Sequence, residues 1–241
     1  MNESLPDVET DDPTGVVLAG GYSRRFGDRD KALARLGGRP LLARVVGRLG
    51  DVADRVVVSC RSDQRAAFDD ALAVDDGVSV TVEFVADPVP DRGPLYGFRA
   101  ALGAVETETC ALTACDAPFL DPRLVADLAA RLESTANAPD APDAAAVLAD
   151  ERLVPTQAVY RTGPARAAAE ELLDAGVTRL SALLDRLDAL AVPAEEVAGD
   201  AERSLFDVDT PADREAAVRM LRELAEAEAS DAGRRETSVP R

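Results

Sequence analysis

Short apolar runs rich in valine and alanine alternate with longer amphipathic segments along most of this chain, and that alternation constrains the fold more than any other feature. The runs Gly15–Ala19, Arg55–Ser59, Val78–Val85, Cys110–Ala114, Ala144–Ala149, Val154–Tyr160, Ala189–Val192 and Leu205–Asp207 have the length and composition of strands. Between them, Pro40–Leu49, Asp63–Ala73, Asp121–Glu133, Pro164–Ala175, Thr178–Leu187 and Pro211–Ala227 repeat apolar residues at helical spacing, several opening on proline. Asp87–Gly97, with three prolines and two glycines, reads as a loop leading into a helix that ends near Val105. Strands alternating with helices predict a mostly parallel sheet covered on both faces, a single-domain three-layer αβα fold of the α/β class. The domain is expected over residues 14–226. The acidic stretch 1–13 and the Ser-, Gly- and charge-rich stretch 227–241 are expected to be disordered tails.

Composition excludes several chemistries. The 241 residues contain no histidine, which removes serine–histidine triads, histidine bases and histidine-ligated zinc. A formal charge of −18 argues against nucleic acid or an anionic membrane as partner. No apolar run approaches the ~20 residues of a membrane span, and Met1-Asn2-Glu3-Ser4 is no signal peptide, so a cytoplasmic protein is expected. The three cysteines lack metal-site spacing and read as small apolar fillers in a reducing compartment. Acid excess, abundant alanine and arginine in place of lysine resemble the surfaces of halophilic proteins.

Lys31 is the only lysine in the chain; every other basic residue is arginine. It closes the glycine-rich segment that follows the first strand, Leu18-Ala19-Gly20-Gly21-Tyr22-Ser23-Arg24-Arg25-Phe26-Gly27-Asp28-Arg29-Asp30-Lys31. An ammonium is a compact point charge that a planar guanidinium does not replace at a tight anion site. A glycine pair at the carboxyl edge of a parallel sheet lets main-chain N–H groups approach a phosphate. No GKS, GKT or GxGxxG pattern accompanies it, which disfavours a P-loop switch and a dinucleotide-binding oxidoreductase. Arg24, Arg25 and Lys31 place three cations beside the glycines.

Asp116 follows the apolar strand Cys110–Ala114 and precedes Pro118, so its carboxylate is expected at the sheet edge as a hard oxygen ligand for Mg²⁺. Its other reading is a helix N-cap, a role that Asp121, directly before Pro122, fits better. Asp209 divides between second metal ligand and ordinary helix start in Asp209-Thr210-Pro211, and which of Asp207 and Asp209 would touch the metal stays open. Tyr96 either packs over a bound ring or plugs its loop. Pairs such as Asp69-Asp70 and Glu195-Glu196 read as solvated surface.

The segment Leu18–Lys31, followed in order by Gly38-Arg39-Pro40-Leu41-Leu42, Asp87, Gly93-Pro94-Leu95-Tyr96-Gly97, Ala114–Leu120, Pro155-Thr156-Gln157 and Phe206–Pro211, resembles the signature of nucleotidyltransferases with a Rossmann-like catalytic domain. Within them the set is most similar to the molybdenum cofactor guanylyltransferases, the MobA-like nucleotidyltransferases. The resemblance implies that Leu18, Ala19 and Gly20 hold the nucleotide through main-chain groups and that Lys31 meets the triphosphate. Gly21 joins the binding set, and Arg24 and Arg25, just after the glycines, are read from that position as triphosphate contacts, Arg25 among the catalytic candidates, with solvated surface charge as the other reading. The resemblance implies further that Asp87 lies on the nucleoside side and that Asp116 ligates Mg²⁺, with Asp209 beside it. Ser59 stands where the family commonly has an asparagine contacting guanosine, Phe26 where methionine is usual, and Asp207 and Asp209 where asparagines are frequent. The implied reaction moves GMP from GTP to molybdopterin or the molybdenum cofactor with release of pyrophosphate, with molybdoenzyme chaperones as further partners. A CTP-using enzyme, one with a cobinamide phosphate or phospholactate acceptor, and a non-catalytic cofactor-binding protein are the alternatives.

Overall fold

In the computed structural model, residues 12–23, 26, 30–89 and 91–236 are described. The chain opens on β1 (Thr14–Leu18), a single 3-10 turn (Lys31–Leu33), and the two-residue strands β2 (Arg35–Leu36) and β3 (Arg39–Pro40). It continues through α1 (Leu41–Leu49), β4 (Arg55–Cys60), α2 (Arg65–Ala73), β5 (Thr81–Ala86) and α3 (Pro94–Leu102). Then come β6 (Thr109–Ala114), α4 (Pro122–Ser134), β7 (Ala144–Ala149), β8 (Arg152–Arg161) and α5 (Thr162–Asp174). The last elements are α6 (Ser181–Arg186), β9 (Ala189–Pro193), α7 (Ala201–Ser204) and α8 (Pro211–Glu236).

Seven strands form one sheet in the order β5-β4-β1-β6-β8-β7-β9. Neighbours are parallel except at β8, which runs antiparallel to both β6 and β7. Side chains alternate across the sheet, so that Val17, Val56, Val58 and Ala111 face α1, α2 and α4, while Val16, Val57 and Leu112 face α3, α5 and α6. Two apolar cores on opposite faces make the three layers that the alternation predicts. A smaller cluster ties α8 to the β2–β3 hairpin through Leu36, Leu41, Phe119, Val208 and Ala217.

From β1 the chain steps to β4 and β5 on one side, then returns to place β6 on the other. That reversal opens a crevice beyond the carboxyl ends of β1 and β6, where ligands bind in open α/β sheets.

The structure departs from the sequence reading in several places. Helix α3 begins at Pro94, so the loop from Asp87 ends at Gly93, whose φ of 114° permits the turn. Gly97 lies inside that helix, and a Cβ there would sit 2.9 Å from Ser59 Oγ, so glycine lets α3 press against β4. Leu205–Asp207 is not a strand. It crosses the sheet edge after α7, and Val208 N donates to the Asp116 carbonyl at 2.8 Å. Finally, α8 runs to Glu236, through residues read as tail, because Ala-Glu repeats favour helix without needing an apolar face. Residues 1–11 of the expected acidic tail, and 237–241, lie outside the described residues.

Candidate active site

The carboxyl ends of four adjacent parallel strands bring the candidate residues together. Leu18 leads from β1 into the glycine pair, Ser59 lies near the end of β4, Asp87 follows β5, and Asp116 follows β6. Main-chain bonds lace these ends: Ala19 N donates to the Ser59 carbonyl, Asp87 N to Cys60, and Cys115 N to Leu18, at 2.8–3.0 Å. Leu18, Ala19, Gly20, Gly21, Lys31, Ser59, Asp87 and Asp209 all line one of two neighbouring cavities.

Lys31 is set by local chemistry. Asp30 caps the 3-10 turn through a 3.1 Å bond from Ala32 N, and Lys31 N donates to Ser23 Oγ at 2.9 Å. The ammonium then reaches Asp116 Oδ2 at 2.5 Å and Asp209 Oδ1 at 2.8 Å. Burial alone would lower its pKa. The Asp116 charge and hydrogen bonds to both carboxylates outweigh that and raise it, so Lys31 is a fixed cation. Beside it, burial, followed by the charges of Asp116 and Asp209, pushes Asp207 up to about 6.

Asp116 Oδ1 is buried and has no hydrogen-bond partner among the described residues. A carboxylate oxygen left so is costly unless something binds it. Asp121 caps α4 by accepting from Arg123 N, so the capping reading of Asp116 falls away. No group of three or more Cys, Asp or Glu placed to hold a metal occurs among the described residues. Asp116 and Asp209 share the Lys31 ammonium, and as carboxylates they are donors of the hard oxygen type that Mg²⁺ takes, with its other positions left to water and phosphate oxygens.

The two cavities differ in character. One of about 320 Å³ is lined by Ser23, Asp30, Lys31, Cys115 and Asp209 and carries the charge. The other, of about 300 Å³, is lined by Leu18, Ser59, Asp87, Gly93, Pro94 and Gly97. Gly21, Tyr22 and Asp91 border both. The first is lined by charged side chains, the second largely by glycine, proline and leucine. The glycine pair serves no internal packing: neither glycine has a left-handed φ. A Cβ on Gly20 would make only ordinary contacts, and one on Gly21 would meet nothing. Glycine here keeps the main chain open to what lies in the cavities.

Sequence reasoning missed Arg61 and Gln64, which hold the glycine turn from behind, and Ser23, Asp30 and Asp91 in the lining. The position of Arg61, one residue past β4, was the available signal. Tyr96 sits in the first turn of α3, and the ring lining both cavities is that of Tyr22. Arg24 and Arg25 lie outside the described residues.

A probable molybdenum cofactor guanylyltransferase from Natronomonas pharaonis is 40% identical over 209 residues, covering 86% of this chain and 98% of its own. One from Haloferax mediterranei is 34% identical, covering 80% and 86%. Among solved structures, molybdopterin-guanine dinucleotide biosynthesis protein A from Archaeoglobus fulgidus superposes with a TM-score of 0.69 at 23% identity, covering 87% of this chain and 99% of its own. That likeness concerns the fold. Residues 15–192 match the MobA-like NTP transferase domain, the stretch that supplies the glycine turn, Lys31, Ser59, Asp87 and Asp116. By that match and by the two relatives, this chain is a nucleotidyltransferase that belongs to the MobA-like NTP transferase family.

Proposed function

We propose that the protein transfers GMP from GTP to the phosphate of molybdopterin or the molybdenum cofactor, releasing pyrophosphate, in the cytoplasm and with Mg²⁺. The names of the relatives support the base and the acceptor. The observation that carries the chemistry is the buried Oδ1 of Asp116, without a hydrogen-bond partner among the described residues, beside the Lys31 ammonium. No helix among the described residues is long and apolar enough to cross a membrane.

An acceptor phosphate oxygen forms a bond to the α-phosphorus, the bond from that phosphorus to the bridging oxygen breaks, and pyrophosphate leaves. The acceptor is already anionic and needs no base, which suits a chain without histidine. Lys31 neutralises charge on the phosphates. Main-chain N–H groups of the glycine turn orient them, and the glycine- and proline-lined cavity seats the nucleoside. Magnesium, when bound by Asp116 and Asp209, supplies further charge neutralisation. A larger hollow of about 690 Å³ shares Asp30 with the charged cavity and offers Phe26, Leu33 and Pro211 beside Arg35 and Arg214, which gives a bulky acceptor room.

The test is mass spectrometry of products after incubation with Mg²⁺, molybdopterin and either GTP or CTP. A guanine dinucleotide is expected. A cytosine product of equal yield would overturn the base assignment, and pyrophosphate release only with another acceptor would overturn molybdopterin.

A further inference from the structure

The carbonyl side of the glycine turn is occupied end to end by two side chains from one segment. Gln64 Nε2 donates to the Ala19 carbonyl at 3.3 Å, and Arg61 Nη1 donates to the Gly20 and Gly21 carbonyls at 3.1 and 2.9 Å. Each peptide unit is planar and trans, so fixing the C=O of one residue fixes the N–H of the next in the opposite direction. Anchoring the carbonyls of residues 19, 20 and 21 therefore aims the N–H groups of Gly20, Gly21 and Tyr22 away from Arg61. Gly21 and Tyr22 border both cavities.

The same two residues reach further. The Arg61 guanidinium lies 4.3 Å from the centroid of the half-exposed Tyr22 ring, which borders both cavities. Gln64 Nε2 also donates to Asp30 Oδ2 at 2.5 Å, while Asp30 Oδ1 caps the turn that carries Lys31. Gln64 is itself fixed: it is 4% exposed, and its Oε1 accepts from Arg61 N at 2.9 Å. Only 11% of the Arg61 side chain is exposed. A solubilising arginine has no reason to be buried against main-chain carbonyls.

We infer that Arg61 and Gln64 form a brace that presets the donors of Gly20, Gly21 and Tyr22 toward an anionic triphosphate and keeps Lys31 in register with them. They are positioning residues, acting through the turn and through Asp30. The inference rests on the nucleotidyl-transfer reading, and binding measured without acceptor separates the two. Calorimetry of Mg·GTP binding to the full chain tests the brace; kcat and the acceptor KM test transfer. In Arg61→Ala, GTP affinity is expected to fall about 10-fold or more, the worth of one or two lost hydrogen bonds. The acceptor KM should stay within about twofold, as a preset turn bears on one substrate only. Arg61→Lys keeps charge at one carbonyl and should recover part of the loss. Gln64→Glu keeps size but sets a carboxylate against Asp30 and the Ala19 carbonyl, and should weaken GTP binding likewise; it carries the test if Arg61→Ala does not fold. Wild-type GTP affinity in Arg61→Ala would overturn the brace. So would nucleotide and acceptor constants deteriorating together with a lowered melting temperature, the signature of general structural support. A wild-type protein that binds GTP but forms no product would instead overturn the transfer reading, with affinity still judging the brace.

Discussion

Two carboxylates converge on one ammonium at Lys31, with distances of 2.5 and 2.8 Å. A guanidinium is wider than that gap and carries its charge on a plane. Lys31→Arg keeps the charge and changes its shape, so it asks whether position matters. Turnover is expected to fall about 100-fold, the order of loss that a ~1 Å misplacement causes, with a smaller loss of nucleotide affinity. Single-turnover rates set beside equilibrium binding check this; wild-type turnover would remove Lys31 from the reaction. Asp116→Asn keeps the shape and removes the charge of the group whose Oδ1 has no partner among the described residues. Turnover is expected to be lost at every Mg²⁺ concentration while the far-ultraviolet dichroism is kept, since Lys31 retains Asp209. Near-normal pyrophosphate release at limiting Mg²⁺ would refute the ligand role.

At the level of elements, helix α4 is held at its start by Asp121. Its Oδ1 accepts from Arg123 N and its Oδ2 from Asp200 N, both at 2.9 Å, and the Arg123 side chain closes on the same carboxylate. The bond from Arg123 is the main reason its pKa is lowered to about 2, below the ordinary carboxylate value of about 4. A depressed carboxylate stabilises the fold above its unfolded pKa, and that contribution is lost as pH falls through the folded value. Asp121→Ala should therefore cost about 1–2 kcal/mol near pH 7. The gap between variant and wild type should close between pH 4 and 2. Urea midpoints across that range check it, and a gap constant with pH would refute the charge's role. This cap was legible in Asp121-Pro122, as was β7, because each is decided by neighbouring residues. The reversed direction of β8 was not, since a buried run reads alike in either direction. The β2–β3 hairpin was too short to carry a pattern. In the site, Lys31 and Asp116 could be read because each adjoins a recognisable strand end or glycine turn. Arg61 escaped because what it holds is the backbone about 40 residues earlier, and backbone carbonyls leave no mark on side-chain identity.

For the whole molecule, 45 acidic against 27 basic residues leave a surface that repels itself. The Debye length falls from ~30 Å at 0.01 M salt to ~3 Å at 1 M, so that repulsion is screened across this range. The melting temperature is expected to rise throughout; a steady fall, followed by calorimetry, would count against a salt-adapted surface. Exposed pairs such as Arg186–Glu171 weaken under the same screening, and being individually weak they do not reverse the trend. The Lys31–Asp209 contact has a different consequence, one of time. A growing polypeptide leaves the ribosome with the glycine turn, Lys31 and Asp116 long before Asp209 is made. All seven strands of the main sheet precede that residue. Until translation passes residue 209, Lys31 lacks the Asp209 carboxylate. The nascent chain can therefore complete its sheet before Asp209 is there to join Lys31 and Asp116.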